Sequence, residues 1–198
     1  KQKTAYEIGV RLVGSEMCIR DRLGGVKSGK SRFAEGLVQQ RFDSLVEGAD
    51  TPPTIAVIAT AQALDDEMKK RIARHKDDRP AAWQTHEEPL YLAKQVRALA
   101  DADVILIDCL TLWLTNLLMC DDDEMMRTEV DDFLSAVKDC SQPIIMVSNE
   151  TNMGIVPMGD LSRRYCEEAG LLHQKLASVC DRVELIVAGL PLNLKPGA

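Results

Sequence analysis

From Leu23 onward, short continuous apolar runs alternate with longer stretches in which apolar residues recur every three or four positions. The runs Thr54–Ala59 (TIAVIA), Asp103–Asp108 (DVILID), Pro143–Ser148 (PIIMVS) and Val183–Ala188 (VELIVA) are short and rich in β-branched residues. That is the pattern of strands buried on both faces. Between them the spacing predicts helices. One opens at the Gly-rich turn and carries Phe33, Leu37 and Val38; a second has Leu64, Met68 and Ile72 on one face and ends near His75–Lys76. A third covers Leu90–Leu99 with Pro89 at its start, a position proline favours. Leu110–Leu118 and Glu124–Val137 follow, joined by the acidic turn Asp121-Asp122-Asp123, and Leu161–Val179 is the last. Strands alternating with helices, with no internal repeat and no linker, predict a single α/β domain with a mostly parallel sheet flanked by helices.

The first 22 residues break this pattern, with no clean period and with charges inside apolar runs. Leu12–Arg22 resembles translated adapter sequence from library preparation. The expectation is a boundary between an atypical segment, 1–22, and a domain, 23–198, whose native sequence begins near Leu23. Arg20, Asp21 and Arg22 fall where a buried first strand should run. Burying them unpaired would cost several kcal/mol, so that strand is expected to be damaged.

Composition narrows the function classes. The 198 residues are 45% hydrophobic and 28% charged, as in a globular domain, and the net charge is −7. An acidic body attracts neither nucleic acid nor an anionic membrane. No apolar run approaches the roughly 18 residues of a span. Six cysteines without a CxxC pair read as reduced thiols, hence a cytoplasmic protein.

One local anion site is nevertheless written into the chain. Gly24-Gly25-Val26-Lys27-Ser28-Gly29-Lys30-Ser31 fits G-x-x-x-x-G-K-[ST] at every fixed position. The glycines let successive N–H groups turn toward a phosphate, and the helix that follows adds its positive end. Lys30 can reach the β- and γ-phosphates, and the Ser31 hydroxyl can ligate Mg²⁺. Asp108 ends an apolar strand, where open α/β sheets place ligand-facing groups, and can hold the same Mg²⁺; it could equally cap the next helix. A P-loop NTPase-like fold follows. By itself it leaves open a small-molecule kinase, a nucleotidyltransferase and a non-enzymatic nucleotide switch.

The segments GGVKSGKSRFAE, IATAQALDDEMKKRIARHKDDRP, WQTHEE, DCLTLWLTNLL and SNETNMGIVP, in this order, resemble the bifunctional adenosylcobinamide kinase/adenosylcobinamide-phosphate guanylyltransferase family of cobalamin biosynthesis. The resemblance spans roughly Leu23 to Lys195. It implies phosphorylation of the cobinamide aminopropanol hydroxyl by ATP or GTP, then transfer of GMP from GTP through a guanylyl-histidine. His75 matches that histidine. Its position alone left it open between a solvated side chain at a helix C-terminus and a nucleophile. By the same resemblance Thr60, Ala61, Gln62, Lys76, Asp77, Asp78, Arg79, Glu87 and Asp108 are nucleotide contacts, although Lys76–Arg79 alone would pass for a solvated turn. His86 and His173 match no catalytic position. The implied partners are GTP, ATP, Mg²⁺, a corrinoid substrate and further copies of the chain, a trimer being the expected assembly.

Overall fold

The computed structural model describes residues 19–47, 51–63, 65–77 and 79–197. Cys18, Leu64 and Asp78 therefore lie outside the described residues, as does most of the atypical segment. The elements run β1 (Ile19–Gly24), α1 (Lys30–Val46), β2 (Ile55–Ala59), α2 (Asp66–Asp77), β3 (Gln84–Glu87), α3 (Leu92–Ala98) and β4 (Val104–Asp108). They continue with α4 (Leu110–Met119), α5 (Asp123–Asp139), β5 (Ile144–Asn149), α6 (Asp160–Val179), β6 (Arg182–Val187) and β7 (Leu190–Lys195).

The sheet order is β3-β2-β4-β5-β1-β6-β7, parallel except for β7, which pairs antiparallel with β6. Alternation along each strand sends successive residues to opposite faces. Ala56, Ile58, Ile105, Ile107, Ile144 and Met146 face one core layer, built with Trp113 and Phe133. Ile55, Val57, Val104, Leu106, Ile145 and Val147 face the other, closed by Ala34 and Val38 of α1. Trp113 is wholly buried and packs on Phe133 with centroids 5.0 Å apart, while its indole N–H donates to Leu90 O at 2.7 Å. Each such side chain contributes about 2–3 kcal/mol by burial.

Local chemistry sets the ends of the helices. The Asp122 side chain accepts from Met125 N–H and caps α5, so the acidic turn serves as a helix start. Helix α3 begins at Leu92 rather than Leu90, because the Glu88 carboxylate takes the N–H groups of Leu90 and Tyr91 at 2.9 and 2.8 Å.

Two strands are additions to the sequence reading. The four residues of β3 (QTHE) sit at a polar sheet edge, and β7 carries Pro191 with its leucines exposed, so neither shows the buried-strand pattern. More informative is β1. The charged stretch forms a strand between β5 and β6 after all. Arg22 is fully buried but faces Glu184, its register partner on β6, with Nη1 2.5 Å from Oε2. Its guanidinium also lies over the Phe33 ring, 5.6 Å from the centroid. Asp21 has no such partner. It is 1% exposed, both carboxyl oxygens lack a hydrogen bond, and its register neighbours are Met146 and Val183. Burial pushes its pKa up to about 7. A strand is kept here because one charge is paired across the ladder and another can be neutralised by a proton.

Candidate functional site

Strand β1 delivers its last residue, Gly24, into a turn in which Ser28 N–H bonds Gly25 O at 3.2 Å. A Cβ on Gly24 would lie 2.5 Å from Ser28 Oγ and 2.7 Å from Ile186 O, so no larger residue fits. Lys27 (φ 56°) and Gly29 (φ 94°) take left-handed backbone just before α1 starts at Lys30. From the far side the β6–β7 turn buttresses the loop, with Gly189 N–H donating to Ser28 O at 2.8 Å. Val26 and Lys27 are exposed, whereas Lys30 is buried and its Nζ donates to Gly25 O at 3.2 Å. Burial lowers the Lys30 pKa, and the nearby Arg71 guanidinium lowers it further. Such an ammonium gains from an arriving phosphate. Ser28 Oγ is buried without a hydrogen-bond partner, and Ser31 stands half-buried in the first turn of α1.

Asp108 ends β4. Its Oδ2 accepts from Arg79 Nη2 at 2.7 Å, and Arg79 Nε lies 3.8 Å from Glu35 Oε1 on α1. The Arg79 side chain is only 5% exposed. The charged turn after α2 is thus not solvated at this residue: one arginine crosses from it to the strand end. Thr60, just beyond β2, is buried and ties down the start of α4; its hydroxyl donates to Cys109 O at 2.7 Å and accepts from Cys109 N–H at 2.9 Å.

Helix α2 leans over this edge without entering the core. None of its residues is buried, and Met68, Ile72 and His75 are half-buried along one face. Met68 and Ile72 of its apolar face therefore line a cleft. His75, Lys76, Arg79, Glu87, Asp108 and Ala61 meet there, together with Arg71, in a space of about 520 Å³ that opens to solvent. Lys76 and Glu87 bridge its rim at 2.5 Å, both largely exposed, a contact of small energetic weight. Gln62 lines a second groove that shares Ala61, Ile72, Lys76 and Glu87 with this cleft. Asp77 is exposed at the end of the helix. Arg71 and Glu35 were not foreseen. Arg71 could have been, since it precedes His75 by four residues and so shares its helix face. Neither His86 nor His173 lines the cleft.

Among the described residues no group of three His, Cys, Asp or Glu is placed to hold a metal ion, and no helix is long and apolar enough to cross a membrane. Cys109, Cys120, Cys140, Cys166 and Cys180 are free thiols.

The family model described as cobinamide kinase / cobinamide phosphate guanyltransferase matches residues 22–194. The bifunctional adenosylcobalamin biosynthesis protein CobP of Pseudomonas aeruginosa is 51% identical over 174 residues, covering 87% of this chain and 95% of the relative. The bifunctional adenosylcobalamin biosynthesis protein CobU of Salmonella typhimurium is 39% identical over 186 residues, covering 87% of this chain and 97% of the relative. Its counterpart in Escherichia coli is 34% identical over the same length and coverage.

Proposed function

The chain belongs to the cobinamide kinase / cobinamide phosphate guanyltransferase family, and from that premise we propose how one nucleotide site carries both activities. The enzyme phosphorylates the hydroxyl of the adenosylcobinamide aminopropanol arm with ATP or GTP. It then transfers GMP from GTP to the new phosphate, giving adenosylcobinamide-GDP. Membership sets aside the plain kinase and the nucleotide switch that the loop and Asp108 alone allowed. The observation that carries the site assignment is the meeting of His75, Arg79 and Asp108 in one cleft at the sheet edge that holds the phosphate loop.

In the kinase step the amides of Gly24–Ser31 cradle the triphosphate, and Lys30 exchanges its bond to Gly25 O for the β- and γ-phosphates. Ser31 and Asp108 would hold Mg²⁺. Asp108 fits because its carboxylate already accepts a cation, the Arg79 guanidinium. A hydroxyl and one carboxylate suit an ion that fills its shell with water and phosphate oxygens. When bound, it neutralises charge on the triphosphate.

In the transferase step an imidazole nitrogen of His75 attacks the α-phosphorus of GTP. The P–N bond forms, the bond to the bridging oxygen breaks, and pyrophosphate leaves with that electron pair. An oxygen of adenosylcobinamide phosphate then attacks the same phosphorus and the imidazole departs. Arg79 offers a planar fork to phosphate. Thr60, Ala61, Gln62, Lys76, Asp77, Asp78 and Glu87 complete the nucleotide contacts in this reading.

Product analysis by mass spectrometry tests the scheme. With adenosylcobinamide, GTP and Mg²⁺ the phosphate is expected first and the GDP adduct second. Lys30→Ala is expected to slow both steps by roughly 10²–10³-fold, because both need the triphosphate in place. An unchanged rate in either step contradicts a shared site.

The same proposal puts the enzyme in the cytoplasm, supported by its free thiols. It also makes it a homo-oligomer, a trimer in the first instance, supported by Leu190, Leu192 and Leu194 exposed along edge strand β7. Native sequence is proposed to begin near Leu23, supported by a family match that starts at residue 22. A continuous genomic reading frame through codons 1–22 would overturn that boundary.

A further inference from the structure

The end of β5, Ser148-Asn149, and the residue that follows it, Glu150, have no part in the scheme above, yet the fold sets them against the phosphate loop. Strand β5 pairs with β1 so that Asn149 stands opposite Gly24, and Glu150 N–H donates to Gly24 O at 3.0 Å. Glu150 is thus the first residue past the strand, at the sheet edge where the triphosphate would lie.

The acids around this edge differ in what they face. Asp108 holds Arg79 at 2.7 Å, Glu35 lies 3.8 Å from the same arginine, and Glu87 holds Lys76 at 2.5 Å. Glu150 faces no lysine or arginine among the described residues. Its Oε1 accepts from Asn152 N–H at 2.6 Å, and its Oε2 looks toward His173 Nδ1, 3.8 Å away and beyond hydrogen-bond length. Burial lowers the His173 pKa against the pull of the Glu150 charge, so the ring stands neutral at pH 7. Ser148 Oγ meets its Nε2 at 2.8 Å. Where Ser148 donates in this contact, the ring proton is left to Nδ1, on the side of Glu150. One carboxylate oxygen is therefore fixed by the main chain, while the other makes no hydrogen bond among the described residues and meets no competing cation. The side chain is 14% exposed, shielded but reachable.

We propose that Glu150 is the proton acceptor of the kinase step, with His173 and Ser148 as the residues that position it. The inference rests on the function proposed above and gives that site its missing base. As the substrate hydroxyl oxygen bonds the γ-phosphorus, the bridging bond to the β-phosphate breaks and its electron pair leaves on the nucleoside diphosphate. The hydroxyl proton passes to Glu150 Oε2 and from there to water. The second step starts from a phosphate oxygen and needs no such acceptor, so the two activities separate at this residue.

Glu150→Gln keeps an amide oxygen for Asn152 N–H and removes only the base. Its kinase kcat is expected to fall roughly 10²–10³-fold with the KM for ATP unchanged. Guanylylation by GTP, and GMP transfer to preformed adenosylcobinamide phosphate, should stay at wild-type rates. In Glu150→Ala, added formate should restore part of the kinase rate, a response a merely structural role would not give. A wild-type kinase rate in the Gln variant, equal loss of both steps, or an Ala variant deaf to formate would each overturn the proposal. Wild-type protein that performs neither step would overturn the functional reading itself, and this inference with it.

Discussion

His75→Ala is expected to abolish guanylyl transfer, by a factor on the order of 10⁴ or more, while the kinase step stays within about tenfold of wild type. The size follows from the role: without the imidazole no P–N bond can form, and the phosphate acceptor would have to attack GTP directly. The selectivity follows from the structure. Helix α2 has no buried residue, so truncating a half-buried side chain on it opens no cavity in either core layer. Alanine also favours the helix. The phosphate loop lies between β1 and α1, Lys30 opens α1 and Asp108 ends β4, so none of them belongs to α2. Separate single-turnover assays, one with adenosylcobinamide and ATP, the other with its phosphate and GTP, measure the two rates. Equal loss of both in a folded variant contradicts the division.

The second large effect concerns stability. Asp21→Val is expected to raise the unfolding free energy at pH 8 by roughly 4 kcal/mol, with far less gain at pH 4. Asp21 is raised from 3.8 to about 7 by burial, so the folded state holds a proton that the unfolded chain has released in between. The sign is fixed by that order: the stability Asp21 contributes as a neutral acid is complete below pH 4 and is lost as pH rises through 7. Valine carries no proton and suits a strand between Met146 and Val183. Urea unfolding of both proteins across this range isolates the group, since the neighbours that feel its charge, Arg22 and Cys180, titrate well above pH 8. A difference that stays flat from pH 4 to 8 contradicts a buried, unpaired carboxyl at residue 21.

That residue also shows where the sequence stopped being readable. Strands β2, β4, β5 and β6 declare themselves because both faces are buried, leaving continuous apolar runs that end within a residue of the observed strands. The charges of β1 argue against a strand until Glu184, 162 positions along the chain, is seen beside Arg22. Edge strands β3 and β7 have no second buried face to write a pattern. Periodicity located the apolar stripe of α2 but could not say that Met68 and Ile72 line a cleft.

The site divides in the same way. The phosphate loop is contiguous, so its backbone requirements are spelled out in eight consecutive residues. Arg79 on Asp108, and Ser148 with His173 beside Glu150, are contacts between distant segments that no local spacing records. His75 stood between the two cases. Its type and helix position were visible, but the role proposed for it came from resemblance, and its place in the cleft from the fold.

Incubation with GTP labelled at the α-phosphate and Mg²⁺, followed by denaturing electrophoresis, tests the central claim most directly. The account predicts label on wild-type protein that is stable to alkali, lost in acid and absent from His75→Ala. A folded, GTP-binding wild type that takes no label, or a His75→Ala variant that still does, would contradict it.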